Sequence, residues 1–309
     1  MQHTEPLYCK DFGPPANDAS PAPLRVAVFA YNEQRNIDQS LRRLLVECES
    51  FEDARIHVLV NGSTDRTYQI AKDYETRCLG RVVAHDFTKG DKARTWNRYV
   101  HDVATDLTQT ATHVFMDADV WPARDSLRRM TETLAKESRL AAIGGLPMNG
   151  RNRARYCELA KRKRFIYGNL YATRGSWLAW ARSIQLRMPV GMVFEDAAVT
   201  NAFTTTPEDL RKSDLQRIGH LDGCGYGFTP IRPWHPADVT LYLKRMVRYR
   251  LAEKQLARLG WRWPDELPDS MDGINRDVLN ELKAKTGPSH PLDRLLIKRL
   301  QKQYDAKAA

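Results

Sequence analysis

"THVFMDADVWP" (residues 112–122) is an apolar run that closes on two aspartates, Asp117 and Asp119, one residue apart. Its short apolar, partly β-branched body reads as a strand buried on both faces, and the polar pair marks its arrival at the rim of a sheet. Two carboxylates this close repel, so either a cation lies between them or water screens them fully. An isolated D-x-D is more often a solvated turn or a helix cap. The sequence on either side decides between these readings.

Upstream, "LRVAVFA" (Leu24–Ala30), "RIHVLV" (residues 55–60) and "RVVAHD" (residues 81–86) have the same buried-strand character. Each is followed by apolar residues at helical spacing. Ile37, Leu41, Leu44, Leu45 and Cys48 follow the first strand, and Ile70 and Tyr74 follow the second, behind an N-cap at Ser63 or Thr64. Ala93, Trp96, Val100 and Val103 follow the third. Downstream, Leu127, Met130 and Leu134 mark another helix, and "LAAIGG" (residues 140–145) a fifth strand. This alternation predicts an α/β fold: a mostly parallel central sheet with helices on both faces. Ligands of such sheets bind outside the carboxyl ends of the strands. There the sequence places Tyr31-Asn32-Glu33, Asn61-Gly62-Ser63, the basic trio Lys89, Lys92 and Arg94, and Asp117-Ala118-Asp119. Four polar clusters on one rim weaken the solvated-turn reading of the aspartates.

The chain of 309 residues is 42% hydrophobic and 28% charged, which suits a globular protein and excludes wholesale disorder. No run approaches the ~18 apolar residues of a membrane span. The proline-rich opening, residues 1–23, lacks a basic start and apolar block and reads as an extended lead-in, not a secretory signal. Five scattered cysteines without a C-x-x-C pair suit reduced thiols and a cytoplasmic protein. The net charge of +10 points to an anionic partner. It is uneven: residues 151–187 hold ten Arg and Lys against one acid, Glu158.

"VAVFAYNEQRNIDQSLRRLL", "LVNGSTDRTYQIA", "KGDKARTWN", "FMDADV" and "FEDAAVT" occur in the order and spacing of a family 2 glycosyltransferase, and the chain resembles that family over residues 24–203. The resemblance implies the GT-A fold and transfer of a sugar from a nucleotide diphosphate donor, usually with inversion. It places Ala30, Tyr31 and Glu33 along the nucleotide pocket, Asn61 by the base, and Asp117 and Asp119 at the ribose and a Mn²⁺ or Mg²⁺ ion. The rim residues Asn32, Ser63, Lys92 and Arg94 complete the expected donor site. Where the family often has "DDGS", this chain has "VNGS". Asn61 can still hydrogen-bond a uracil edge, which favours UDP over GDP or TDP.

Inverting transfer needs a carboxylate to take the proton of the attacking hydroxyl. "VFEDAAVTNAF" offers Glu195 and Asp196 at a helix start, where backbone N–H groups would lower a carboxylate's pKa. An isolated Glu-Asp pair would be read as a cap; the resemblance makes Asp196 the general base and Glu195 a positioner. Arg245-x-x-Arg248-Tyr249 is similar to a degraded Gln-x-x-Arg-Trp motif, which argues against a processive polymerase and offers Arg248 as a diphosphate clamp. Its competing reading is a solvated helix face. His235, in "RPWHP", is the candidate third metal ligand, and His220 a weaker one. Trp177, Trp180, Trp234, Trp261 and Trp263 are stacking candidates for sugar rings, though most such residues are core.

For the basic stretch there are three partner readings besides a plain solvated face: an anionic membrane surface contacted peripherally on its cytosolic side, an acidic soluble acceptor, and nucleic acid. No nucleic-acid motif supports the last. Tyr156, Leu159, Ile166 and Leu170 would form the apolar side of a membrane-lying segment and suit a lipid-linked or glycan acceptor. Two rival functions are a catalytically inactive basic binding module and a sugar-phosphate nucleotidyltransferase. The second would show a glycine-rich loop after the first strand, and "AYNEQRN" has no glycine. The expected organisation is a catalytic domain over 24–229, with a nucleotide-binding half (24–120) and an acceptor-binding half (121–229). A basic helical extension, 230–309, follows, with helices over 239–259 and 291–304.

Overall fold

The computed structural model describes residues 22–104, 110–230, 236–260, 262–284 and 290–308. The first elements follow in the expected order: β1 (Leu24–Ala30), α1 (Ile37–Glu47), β2 (Ala54–Asn61), α2 (Thr67–Arg77), β3 (Val82–Phe87), α3 (Lys92–Arg98) and β4 (Thr112–Asp117). All seven residues of β1 are buried, because alternate side chains feed two different cores. Val26, Val28 and Ala30 pack with Ile37, Leu41 and Met130, whereas Ala27 and Phe29 pack with Trp96 and Phe115 on the other face. Each such large side chain contributes about 1.5–3 kcal/mol by leaving water.

β5 (Val120–Pro122), α4 (Ser126–Lys136), β6 (Ala142–Gly144), β7 (Leu146–Pro147), α5 (Arg153–Lys163), β8 (Leu170–Arg174), α6 (Gly175–Ser183) and α7 (Glu195–Thr204) come next. After the short pair β9 (Thr205–Thr206) and β10 (Asp209–Ser213), β11 (Ile218–Gly219) and β12 (Gly225–Phe228) complete the strands. The main sheet has the order β11-β6-β8-β4-β1-β2-β3. All its pairings are parallel except those of β8, which runs antiparallel to β4 and β6. The sequence reading missed β8 because its "LYATR" lies inside the basic stretch. Ile166 and Leu170, assigned there to a membrane-lying face, are instead fully buried in the core.

Two smaller expectations change. The N-cap of α2 is Arg66, not Ser63 or Thr64. Cys48, Cys157 and Cys224 are free thiols, but Cys78 is disulfide-bonded, against the reading of five reduced cysteines.

The C-terminal region is helical, as expected: α8 (Pro236–Leu259), α9 (Asp272–Ala284) and α10 (Asp293–Ala308). Only α9 was not anticipated. Val247 and Leu251 of α8, Val278 and Leu282 of α9, and Leu296 and Leu300 of α10 form a separate small core. Arg250 of α8 pairs with the nearly buried Asp293 at 2.9 Å, which pins the start of α10. Among the described residues, no helix is long and apolar enough to cross a membrane.

Candidate active site

The four strand ends meet because their loops are tied to one another. Asn32, after β1, adopts φ 55°, a left-handed conformation that Asn tolerates better than most residues. Its N–H donates to Ser63 Oγ at 3.0 Å, and its Oδ1 accepts from the Thr64 N–H at 2.8 Å. The first and second loops are thereby locked together. Gly62 sits at φ +72°, and a Cβ there would fall 2.4 Å from the Gly90 nitrogen. Only glycine lets these two backbones approach so closely. Gly90 in turn lies against the Tyr31 ring and the Asn61 carbonyl. Tyr31 is half exposed, and Asn61 and Ala30 are buried.

Asp117 ends β4, and Lys92 opens α3 behind an Asp91 N-cap that accepts from the Arg94 N–H. The Lys92 ammonium lies 2.6 Å from Asp117 Oδ1 and 2.8 Å from Glu195 Oε1. It also donates to the Gly168 carbonyl at 3.4 Å. One cation therefore bridges the two halves of the rim. Burial opposes the charge on Lys92, but the two carboxylates outweigh it and raise its pKa. A Cβ on Gly168 would lie 3.3 Å from both Asp196 Cβ and Lys92 Nζ, so this position keeps the cluster tight.

Glu195 and Asp196 open α7, as expected. The expected lowering of the Asp196 pKa is not observed. Burial and then the charge of Glu195 raise it, and the N–H groups of Gly168 and Ala197 only partly offset them. Asp117 is raised as well, first by burial, despite Lys92. Glu33 is pushed up to about 7 by burial and by Asp119 and Asp117.

Asp119 faces a guanidinium. Arg245 Nη2 lies 3.4 Å from Asp119 Oδ2, whereas Arg248 makes no ion pair among the described residues. Among the described residues no three His, Cys, Asp or Glu side chains converge as a metal site. The donor chemistry nonetheless fits a hard divalent cation: two aspartates one residue apart supply oxygen ligands, and Glu33, its pKa raised by burial and by the two aspartates, lies near them.

The family model described as Glycosyl transferase family 2 matches residues 25–197. The chain belongs to this family. The fold is GT-A, as its similarity to solved glycosyltransferases shows. Mannosyltransferase PcManGT from Pyrobaculum calidifontis, solved with GDP-Man and Mn²⁺, superposes with a TM-score of 0.56 at 19% identity, over 95% of this chain and 83% of that one. S. aureus TarS 1–349 with UDP-GlcNAc gives 0.52 at 15% identity, over 92% and 73%. Glucosyl-3-phosphoglycerate synthase from Mycobacterium tuberculosis, with Mn²⁺, UDP and glucosyl-3-phosphoglycerate, gives 0.50 at 18%, over 81% and 82%. No curated protein matches the sequence.

In this family 2 member, Asp117, Lys92, Glu195 and Asp196 form one cluster. His235, with Trp234 and Trp261, lies outside the described residues. His220 Nε2 meets the Phe165 carbonyl at 2.9 Å, and burial lowers its pKa to about 4. Arg94 keeps a buried Nε with no partner, although its backbone N–H is engaged by Asp91. Trp177 is core, its ring 4.1 Å from that of Phe203, and Trp263 lies beneath Arg211. Sequence reasoning missed Asn169, which donates to Asp117 at 3.4 Å and accepts from the Tyr226 hydroxyl at 3.1 Å. No local signal marks it, because it enters the site only through the pairing of β8 with β4.

Proposed function

We propose that this family 2 glycosyltransferase moves a sugar from a nucleoside diphosphate donor, UDP-linked in preference to GDP or TDP, to a hydroxyl acceptor. The reaction is metal-dependent, inverting and non-processive. The observation that carries this reading is the Asp117–Lys92–Glu195 bridge, which couples the donor carboxylates to the acid pair opening α7. The Mn²⁺ and nucleotide complexes of two structural neighbours support it.

Asn61 and Tyr31 receive the base, and Asp117 the ribose. Asp119, with Asp117, would hold Mn²⁺ or Mg²⁺, which stabilises the diphosphate as it leaves. Asp196 takes the proton of the acceptor hydroxyl, and its raised pKa makes it a stronger base than an ordinary aspartate. The freed oxygen bonds to the anomeric carbon from the face opposite the donor phosphate. The sugar–phosphate C–O bond breaks, and its electron pair departs with the nucleoside diphosphate, so the configuration inverts. Lys92 fixes Glu195 beside the base, and Glu195 positions the acceptor.

Thermal stabilisation by UDP, GDP, TDP and CDP, with and without Mn²⁺, tests the donor assignment on the wild type and on Asp119→Ala. A metal-dependent shift with one nucleotide, absent in the variant, supports the proposal and names the base. No shift in folded protein overturns it in favour of the inactive binding module.

A further inference from the structure

The exposed large apolar side chains of the described residues concentrate on the first half of α8. Val239, Leu241, Tyr242 and Leu243 are 41–53% exposed, as is Tyr249 just past the helix midpoint, although the second half of the same helix buries Leu251, Ala252 and Leu259. At ~3.6 residues per turn, positions 239, 241, 242 and 243 point around most of the helix circumference. The tip is therefore apolar on several sides, not along a single stripe. Lys244 and Arg248 follow directly, both exposed. Burial and the charge of Arg248 lower the pKa of Arg299 on α10, which places a further cation beside this region.

The tip also emerges at the mouth of the site. Arg245 reaches Asp119, and the Tyr249 ring lies 5.5 Å from Phe194, the residue preceding Glu195 and Asp196. α5 contrasts with it: Tyr156 is its one large exposed apolar side chain among Arg153, Arg155, Arg162 and Lys163.

We propose that the first half of α8 docks on an anionic lipid bilayer, with its apolar tip entering the headgroup region and Lys244 and Arg248 meeting the lipid phosphates. Exposed apolar surface of this extent marks an interaction site. A protein groove would cover one stripe of a helix, whereas a bilayer accepts a tip that is apolar on several sides and has cations immediately behind it. The net charge of +10 complements an anionic surface. Docking itself does not depend on the glycosyltransferase reading. Its consequence does: an acceptor embedded in that bilayer would present its hydroxyl near Asp196.

The test is co-sedimentation of the full-length protein with phosphatidylcholine vesicles and with mixed phosphatidylcholine–phosphatidylglycerol vesicles. Three proteins are compared: wild type, Leu241→Ser/Tyr242→Ser, and Arg153→Ser/Arg155→Ser. Melting temperatures confirm folding, and the nucleotide-induced shift reads the donor site separately. Binding to the mixed vesicles only, weakened roughly tenfold in the α8 variant and little changed in the α5 variant, is the expected result. Equal binding to neutral vesicles, no binding to either, or a loss as large in the α5 variant would overturn the proposal. So would a wild-type dimer in light scattering that the α8 variant converts to monomer, since the tip would then meet a second copy.

Discussion

Arg245 Nη2 lies 3.4 Å from Asp119 Oδ2, across 126 residues of sequence, and ties the first C-terminal helix to the end of the fourth strand. Both side chains are about one-third exposed, at 38% and 30%, so the pair contributes only ~0–1 kcal/mol. A guanidinium beside a carboxylate competes with a metal for it. Arg245→Ala is therefore expected to bind Mn²⁺ alone about two- to fivefold more tightly than the wild type, a factor that follows from that energy. Calorimetric titration without nucleotide checks this, and unchanged or weaker Mn²⁺ binding would show that Arg245 does not compete.

Lys92 is the more consequential cation, because it serves two carboxylates at once. Lys92→Met would leave Asp117 and Glu195 facing each other without a cation between them. Breaking a buried pair costs roughly 3–5 kcal/mol, and the partial exposure here reduces that to about 2–3 kcal/mol. Urea unfolding should show a loss of this size, together with activity below a hundredth of wild type. A variant as stable as the wild type would mean that the bridge is not part of the folded protein in solution.

Asp196→Asn removes the base while leaving the donor rim intact. Turnover is expected to fall by ~10²–10⁴, with the nucleotide-induced thermal shift retained. Wild-type turnover should rise with pH through the raised Asp196 pKa, because only the deprotonated carboxylate accepts the proton. Loss of the nucleotide shift in this variant would place Asp196 in donor binding instead.

Acid should destabilise the fold through its buried histidines. Burial, with help from Arg182, Arg25 and His57, lowers His113 to about 3, and burial lowers His220 to about 4. Both values lie below the ~6.5 of an unfolded histidine. The unfolded chain therefore takes up protons first as pH falls. The full stability contribution is present above about pH 6.5 and is lost towards pH 4, by at most roughly 3 kcal/mol for each histidine. Denaturant melts across this window check the trend. His113→Gln, which can still meet the Tyr99 hydroxyl now 3.0 Å from His113, should flatten the slope.

Much of the catalytic half was legible because its elements announce themselves locally. β1 is apolar at every position but Arg25, and the helices after it carry a regular apolar face, so sheet and rim follow from pattern alone. β8 was hidden: its five residues sit within a basic stretch, and the antiparallel pairing with β4 that buries them is a long-range event. Asn169 and Gly168 were hidden with it. The pairing of Arg245 with Asp119 was hidden too, because it depends on how α8 docks against the rim.

The sequence by itself determined the strand–helix alternation, the four polar strand ends and the acid pair at residues 195 and 196, since periodicity and rim position are local properties of the chain. Only the tertiary structure decided which charges meet. Lys92 bridges Asp117 and Glu195, Arg245 caps Asp119, and the Asp196 pKa rises where helix-end position alone predicted a fall. The physical reason is that burial and charge–charge coupling depend on distances between residues far apart in sequence, and these distances exist only once the sheet and its helices have packed.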